Sequence, residues 1–363
     1  MNPFVVDPEW GWWIILYFFL GGIAAGAYFT ATIIDLIGHE EDRELARMGY
    51  WLSFPLVAIC GLLLILDLGQ PLRFWHMLFK SEIVHEAISE GWPWSGESWA
   101  LMVQAPLIKY WSPMSVGSWA LLIFGICSFL SVLGSLWPAG RLSWLFRRSW
   151  LGRAVQWIGC FVGFFIAAYT GALLTATNQP IWSDTTWLAA LFLTSAASTG
   201  IALLILLARW QNAAPPEAIH RLEQADLWVM GLEVIVFMVF LASLDTLLWP
   251  LLSTWNGLVM VLGTLLLGIL VPVAIHLRIG VSGIKGALAA ALFALVGGFL
   301  MRYGILGAAP ELLAQGPAAL AGGGFSPEQD RKPGKSLGAD PLNRRDPDDP
   351  DGVTPRGKGK RSD

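Results

Sequence analysis

Four acidic side chains, Asp35, Asp67, Glu233 and Asp245, sit inside or at the edges of long apolar stretches of this sequence. Each needs a physical reason, because an ionisable residue in a membrane span costs roughly 2.5–3.5 kcal/mol on insertion scales. Gln70 follows Asp67 on the same helical side, and Arg73 comes one turn later. A separate apolar stretch carries Tyr169, Thr170 and Thr175 and ends in Asn178 and Gln179. These residue types suit two kinds of chemistry: a phenol donates a hydrogen bond to a carbonyl, and a carboxylate accepts a proton. Bland readings stand beside these. Asp67 pairing with Arg73, Tyr169 anchoring at an interface, Asn178-Gln179-Pro180 ending a helix, and Glu233 bonding to Ser195 or Ser198 would each explain one residue without function.

The elements that position them follow from composition. The protein has 363 residues, 55% hydrophobic and 14% charged, against roughly 25% charged in soluble domains. About 20 apolar residues at 1.5 Å per residue cross a bilayer core. Eight stretches qualify, at residues 12–37, 50–68, 116–137, 155–176, 187–208, 227–248, 258–277 and 287–303. The expected fold class is therefore all-α and polytopic, with about eight transmembrane helices packed as helical bundles. The expected organisation is an N-terminus at 1–11, a membrane domain at 12–304, an interfacial segment at 305–324 broken by Pro310, Glu311 and Pro317, and a charged tail at 325–363. The tail is expected to be disordered, being rich in Pro, Gly and charge. The start lacks Lys and Arg, and its apolar run is long for a signal peptide, so it reads as a retained first span.

Loop charges set the orientation. The loops after spans one, three, five and seven hold ten basic residues: Arg43, Arg47, Arg141, Arg147, Arg148, Arg153, Arg209, Arg221, Arg278 and Lys285. The opposite side holds Arg73, Lys80 and Lys109 near the spans. Both termini are thus expected outside, in the periplasm of a bacterium, with the protein in the inner membrane. Depth then follows. Asp67, Gln70, Arg73, Tyr169, Asn178, Gln179 and Asp245 converge near the outer leaflet, while Glu233 lies near mid-depth and Asp35 at the inner edge. The shared depth suggests a pocket for an amphiphile with hydrogen-bonding groups. A quinone headgroup fits, because its carbonyls need donors, its reduced form needs a proton acceptor and its tail stays in lipid. In this reading Asp67 or Asp245 exchanges protons at the outer side, and Glu233 and Asp35 extend a path inward.

Other cofactors fit poorly. Of His39, His76, His85, His220 and His276, only His276 lies within or near a span, so no facing pair for haem is expected. Cys60, Cys127 and Cys160 fall inside apolar stretches, too few for an iron–sulfur cluster and suited to buried packing. No basic stripe suggests nucleic acid. A quinone protein without haem, flavin motif or cluster must take electrons from a docked partner. The loop at 70–113, with Trp75, Trp92, Trp94, Trp99 and Trp111, is where that partner would sit or where the protein lies on the bilayer.

Four motifs in order resemble a known family. They are Tyr17-Phe-Phe-Leu-Gly-Gly-Ile-Ala-Ala-Gly-Ala27, Leu66-Asp-Leu-Gly-Gln-Pro-Leu-Arg-Phe74, Met114-Ser-Val-Gly-Ser-Trp119, and Tyr169-Thr-Gly-Ala-Leu-Leu174 with Asn178-Gln-Pro-Ile-Trp182. Over residues 10 to about 305 the sequence is similar to NrfD/polysulfide-reductase-type integral membrane subunits. The resemblance implies an eight-helix subunit that binds menaquinone or ubiquinone and has no haem or iron–sulfur cluster of its own. It also implies a four-cluster ferredoxin-type iron–sulfur partner, usually attached to a molybdopterin catalytic subunit. Its quinone ligand on span four maps onto Tyr169. Two rival readings remain, a proton- or ion-coupled secondary transporter and a passive anchor without a quinone site.

Overall fold

The structure is a computed structural model, and it describes residues 10–92, 94–97, 99, 109–136, 149–212, 214–277 and 284–315. The expected tail at 325–363 and most of the N-terminus lie outside these residues. Among the described residues, eight helices are long and apolar enough to cross a membrane. Spans one to four are Trp12–Ile37, Arg43–Asp67, Pro113–Leu136 and Trp150–Thr175. Spans five to eight are Leu188–Gln211, Pro216–Ser243, Trp255–His276 and Ile284–Gln315.

Apolar side chains all round these helices favour burial in lipid and against each other, and small residues decide where the backbones meet. Span one packs on spans two, four and five, and span five on spans one, four, six and eight. Spans three and seven sit further out, against spans two and four and against span eight. Spans one and five touch backbone to backbone. A Cβ added at Gly26 would overlap the carbonyl of Ala196, and one at Gly200 the backbone of Gly26. The run of small residues at 21–27 is thus packing surface at this crossing.

Span seven changes register midway. Gly263–Leu270 is π-helical, and Pro272 follows it. Proline has no N–H and its ring collides with the carbonyl four residues back, so a wider turn upstream relieves the clash. At the start of this span, the Glu311 carboxylate accepts from the backbone N–H of Trp255 and Asn256 at 2.8 and 3.0 Å. It thereby satisfies amides that a helix N-terminus leaves open.

That cap bears on the expected interfacial segment at 305–324, of which residues 316–324 lie outside the described residues. Residues 305–315 continue span eight through Pro310, with Ile305, Leu306, Ala308, Ala309 and Leu312 buried. Glu311 is tolerated there because it caps span seven. Two other boundaries move: spans two and six begin at Arg43 and Pro216, well before their apolar runs. Among the described residues of the Trp-rich loop are the short helices Trp75–Leu78 and Ser81–Ser89. The loop is tied down by Trp119 Nε1 donating to Leu78 O at 2.8 Å and by Lys80 lying 4.4 Å from the Trp111 ring centre.

Candidate functional site

Tyr169 lies half-buried on span four, three residues before Ala172 opens to the surface. Its hydroxyl donates to Pro113 O at 2.5 Å, at the first residue of span three. Its ring stacks on Phe165 at 5.5 Å and covers Gly117, where an added Cβ would meet the ring at 2.5–2.6 Å. Behind it sits Tyr17 of span one, buried, with Cys60 Sγ 3.8 Å from the Tyr17 carbonyl oxygen.

An apolar groove of about 520 Å³ runs beside this place, between spans two and three. Leu64 and Leu68 flank Asp67 on one wall, and Ser118 and Leu121 follow Gly117 on the other. Asp67, Gln70 and Arg73 are all exposed at the end of span two. Among the described residues Asp67 and Arg73 form no ion pair, so the pairing that would have explained both is not made.

The remaining residues at this end are spread out. Asn178 is exposed, while Gln179 is buried and its backbone carbonyl accepts from Ser183 N and Oγ at 3.1 and 2.9 Å. Beyond Pro180, Ile181 and Trp182 are both buried. Ile181 is fully buried at φ +71°, a strained backbone for a β-branched residue, and its N–H donates to Asp184 Oδ2 at 3.0 Å. Trp182 stacks on Trp10 and donates Nε1–H to Ile305 O at 2.8 Å. Asp245 is exposed, at φ +42°, in the turn that ends span six. Asp67, Gln70 and Arg73 are thus exposed close in sequence to Leu64, Leu68 and Phe74 of the groove wall without lining the groove themselves, and Asn178, Gln179 and Asp245 lie on other elements.

Asp35 lies towards the opposite end, half-buried, accepting from Gln156 Nε2 at 2.7 Å. Arg47, Tyr50, Ser131 and Ser135 share its small cleft.

Glu233 occupies a different setting. It is 4% exposed on span six, with the Ser195 and Ser198 hydroxyls of span five bonded to it and Arg302 of span eight supplying positive charge. Arg302 is 1% exposed. Its Nη1 donates to Ser195 Oγ at 3.1 Å and Gly298 O at 2.9 Å, its Nη2 to Phe192 O at 3.4 Å, and the guanidinium lies over the Phe192 ring. Gly22 of span one leaves the room, since a Cβ there would come within 2.8 Å of Nη2. This is a buried acid–base seam joining spans five, six and eight.

Sequence reasoning missed two members of this region. Arg302 read as the end of span eight because the helix was cut at its charges. The signal lay in Gly297-Gly298 one turn before it and Ala308-Ala309 after it, small residues that continue a packed helix. Asp226, buried on span six, fell into a charged stretch that read as loop.

Comparison with known proteins fits this architecture. A family profile described as polysulphide reductase, NrfD, matches residues 4–314. A polysulfide reductase component of Wolinella succinogenes is 29% identical over 243 residues, covering 64% of this sequence and 69% of that protein. Protein NrfD of Escherichia coli is 25% identical over 332 residues, covering 82% of this sequence and 93% of that protein. A selenate reductase component of Mesobacillus selenatarsenatis is 33% identical over 79 residues, which are 22% of this sequence and 18% of that protein. This chain belongs to the NrfD family of multi-pass membrane proteins and is related to the membrane subunits of polysulfide and selenate reductases.

Proposed function

We propose that this member of the NrfD family is the quinone-binding membrane anchor of a multi-subunit respiratory oxidoreductase. It would pass electrons between the quinone pool and a docked iron–sulfur subunit, and would not be catalytic alone. The observation that carries the reading is Tyr169, a phenol covering Gly117 of span three, with an apolar groove of about 520 Å³ lined by the neighbouring residue Ser118 and by span two. A quinone, menaquinone or ubiquinone, carries two electrons and two protons between its oxidised and reduced forms, and its long apolar tail suits such a groove.

The residues fit that group in a specific way. The Tyr169 hydroxyl spends its one proton on Pro113 O, which leaves its oxygen as an acceptor. In that state it suits the hydroxyl of a reduced headgroup; to serve an oxidised carbonyl, the hydroxyl must leave Pro113. Asp67, Gln70 and Arg73 flank the groove wall. Asn178 and Gln179 border the headgroup from the loop after span four. Asp245 exchanges protons with water at the same end, and Glu233 and Asp35 carry the proton path towards the other.

The loop charges support a location in the bacterial inner membrane with both termini periplasmic. The electron partner would be a four-cluster ferredoxin-type iron–sulfur protein, attached to a molybdopterin catalytic subunit, over the Trp-rich loop. The test is Tyr169→Phe in the assembled complex. Losing one hydrogen bond of about 1–1.5 kcal/mol is expected to weaken quinone-coupled turnover about tenfold, with partner docking unchanged. Full activity in the variant would remove Tyr169 from the site, and absence of co-purified quinone would favour a passive anchor.

A second reading has its own support. The Glu233–Arg302 seam and the π-helical turn of span seven are features of ion-coupled transporters, where polar groups and broken helices lie at mid-membrane. Solute uptake by the purified protein alone would establish it.

A further inference from the structure

Besides Glu217 and Arg221 near its start, span six carries His220, Glu223, Asp226 and Glu233, spaced three, three and seven residues apart. Three of these last four have partners. His220 Nδ1 lies 3.7 Å from Glu223, which also pairs with Arg209 Nη2 at 2.9 Å. Glu233 has Ser195, Ser198 and Arg302. Asp226 has none of these. It is 1% exposed, and neither carboxylate oxygen has a hydrogen-bond partner among the described residues.

Its surroundings explain the isolation. One turn earlier, Leu222 packs with Leu45, Ile201 and Ile205; one turn later, Met230 packs with Ala202, Ala291 and Ala294. Spans five and eight therefore present apolar or small side chains at this level, while span seven, which also packs on span six, carries Thr264 and His276. The charged groups that Asp226 feels are two further acids on its own helix, Glu233 and Glu223. Arg302 serves Glu233, and Arg209 serves Glu223. A buried carboxylate with no hydrogen-bond partner among the described residues, on a helix with an acid on either side of it, is most stable as the neutral acid.

We propose that Asp226 is a proton-binding site, holding a proton as the neutral acid and relaying it between the His220–Glu223 end of span six and Glu233. The transfer balances as a proton hop. The O–H bond on Asp226 breaks as one forms on Glu233, which then loses its charge attraction to Arg302, and Asp226 is reprotonated from the Glu223 side. Seven residues of helix separate the two acids by about 10.5 Å, so water must bridge them. The resting proton on Asp226 stands without the quinone reading; the relay during turnover rests on it.

The experiment is infrared spectroscopy of the assembled complex in water and in deuterium oxide. A carboxylic-acid carbonyl band should be present in the wild type, move in deuterium oxide, survive in Glu233→Gln and vanish in Asp226→Asn. If Asp226→Asn does not assemble, Asp226→Glu should move the band. Identical spectra of wild type and either assembled Asp226 variant would overturn the resting proton.

The relay is read in sealed proteoliposomes with a soluble quinone analogue. Asp226→Asn should lose most of the protons moved per electron, and its electron transfer should respond less than the wild type's when an uncoupler is added. An unchanged proton-to-electron ratio would overturn the relay. If wild type turns over no quinone, the quinone reading and the relay fall together, while the infrared result still decides the proton on Asp226.

Discussion

The Tyr169 end and the Glu233–Arg302 seam are both built from polar side chains in a membrane protein, yet they are held in opposite ways. At the Tyr169 end the groups face outward. Asp67, Gln70, Arg73, Asn178 and Asp245 are exposed, and Tyr169 bonds to a backbone carbonyl. In the seam, side chains from three spans bond to one another with almost no surface. Shared depth brings polar groups to one level, but only packing brings them into contact. The first arrangement leaves hydrogen-bonding capacity open to a visitor, and the second consumes it.

Perturbing each region should therefore give different kinds of loss. The largest effect is expected at the seam. Arg302→Leu takes away the positive charge that acts on buried Glu233 and leaves Ser195 Oγ, Gly298 O and Phe192 O without their donor, a loss of about 3–5 kcal/mol for an uncompensated buried charge. Thermal melts in detergent should show it as a collapse of the folded fraction. Adding Glu233→Gln should restore most of the stability, and no recovery in the double variant would mean that the two do not act as a pair.

Next comes Gly117→Val, which drives a side chain into the Tyr169 ring. Overpacking of this kind costs about 1–3 kcal/mol, and quinone-coupled activity should fall although the hydroxyl is still present. Activity equal to wild type would show that the position of Tyr169 does not matter.

A smaller effect concerns pH. Partial burial pushes the Asp42 carboxyl up, but hydrogen bonds from Arg221 and the His39 backbone N–H, with the Arg221 charge, outweigh it and hold Asp42 below its ordinary value of 3.8. A depressed folded value contributes stability above the unfolded value, and loses it as pH falls through the folded one. The melting midpoints of wild type and Asp42→Asn should differ by a constant amount near neutrality and converge in acid below 3.8. Convergence on the alkaline side instead would reverse the assignment.

Least of all should follow from Asp67→Asn and Asp245→Asn, exposed at the rim. Their folded stability should stay within about 0.5 kcal/mol of wild type. A larger fall in the melting midpoint would show that the rim is structural after all.

Hydropathy made all eight spans legible, because a bilayer demands long apolar runs whatever the packing. It misjudged where helices begin and end, since a helix continues past the lipid wherever neighbours satisfy it. Span six starts at Pro216, so the charged turns holding Asp226 looked like loop. Span eight runs on to Gln315, so Arg302 looked like its end. Glu233 bonding to Ser195 and Ser198 was anticipated from chemistry and spacing. Arg302 was not, because its partners lie on spans far away in sequence. Tyr169 could be placed at a depth from the sequence, but its bond to Pro113 depends on how spans three and four meet.

Gly22 has a meaning beyond packing. The seat of the Arg302 guanidinium against span one is a single hydrogen atom, and the next small residue on that stripe, Gly26, locks spans one and five together. The protein thus insulates a full positive charge with the Phe192 ring on one side and, on the side of span one, with a backbone brought close enough to shut out solvent. Any side chain at residue 22 would act as a wedge, opening a leak in the dielectric where a charge is held inside the bundle.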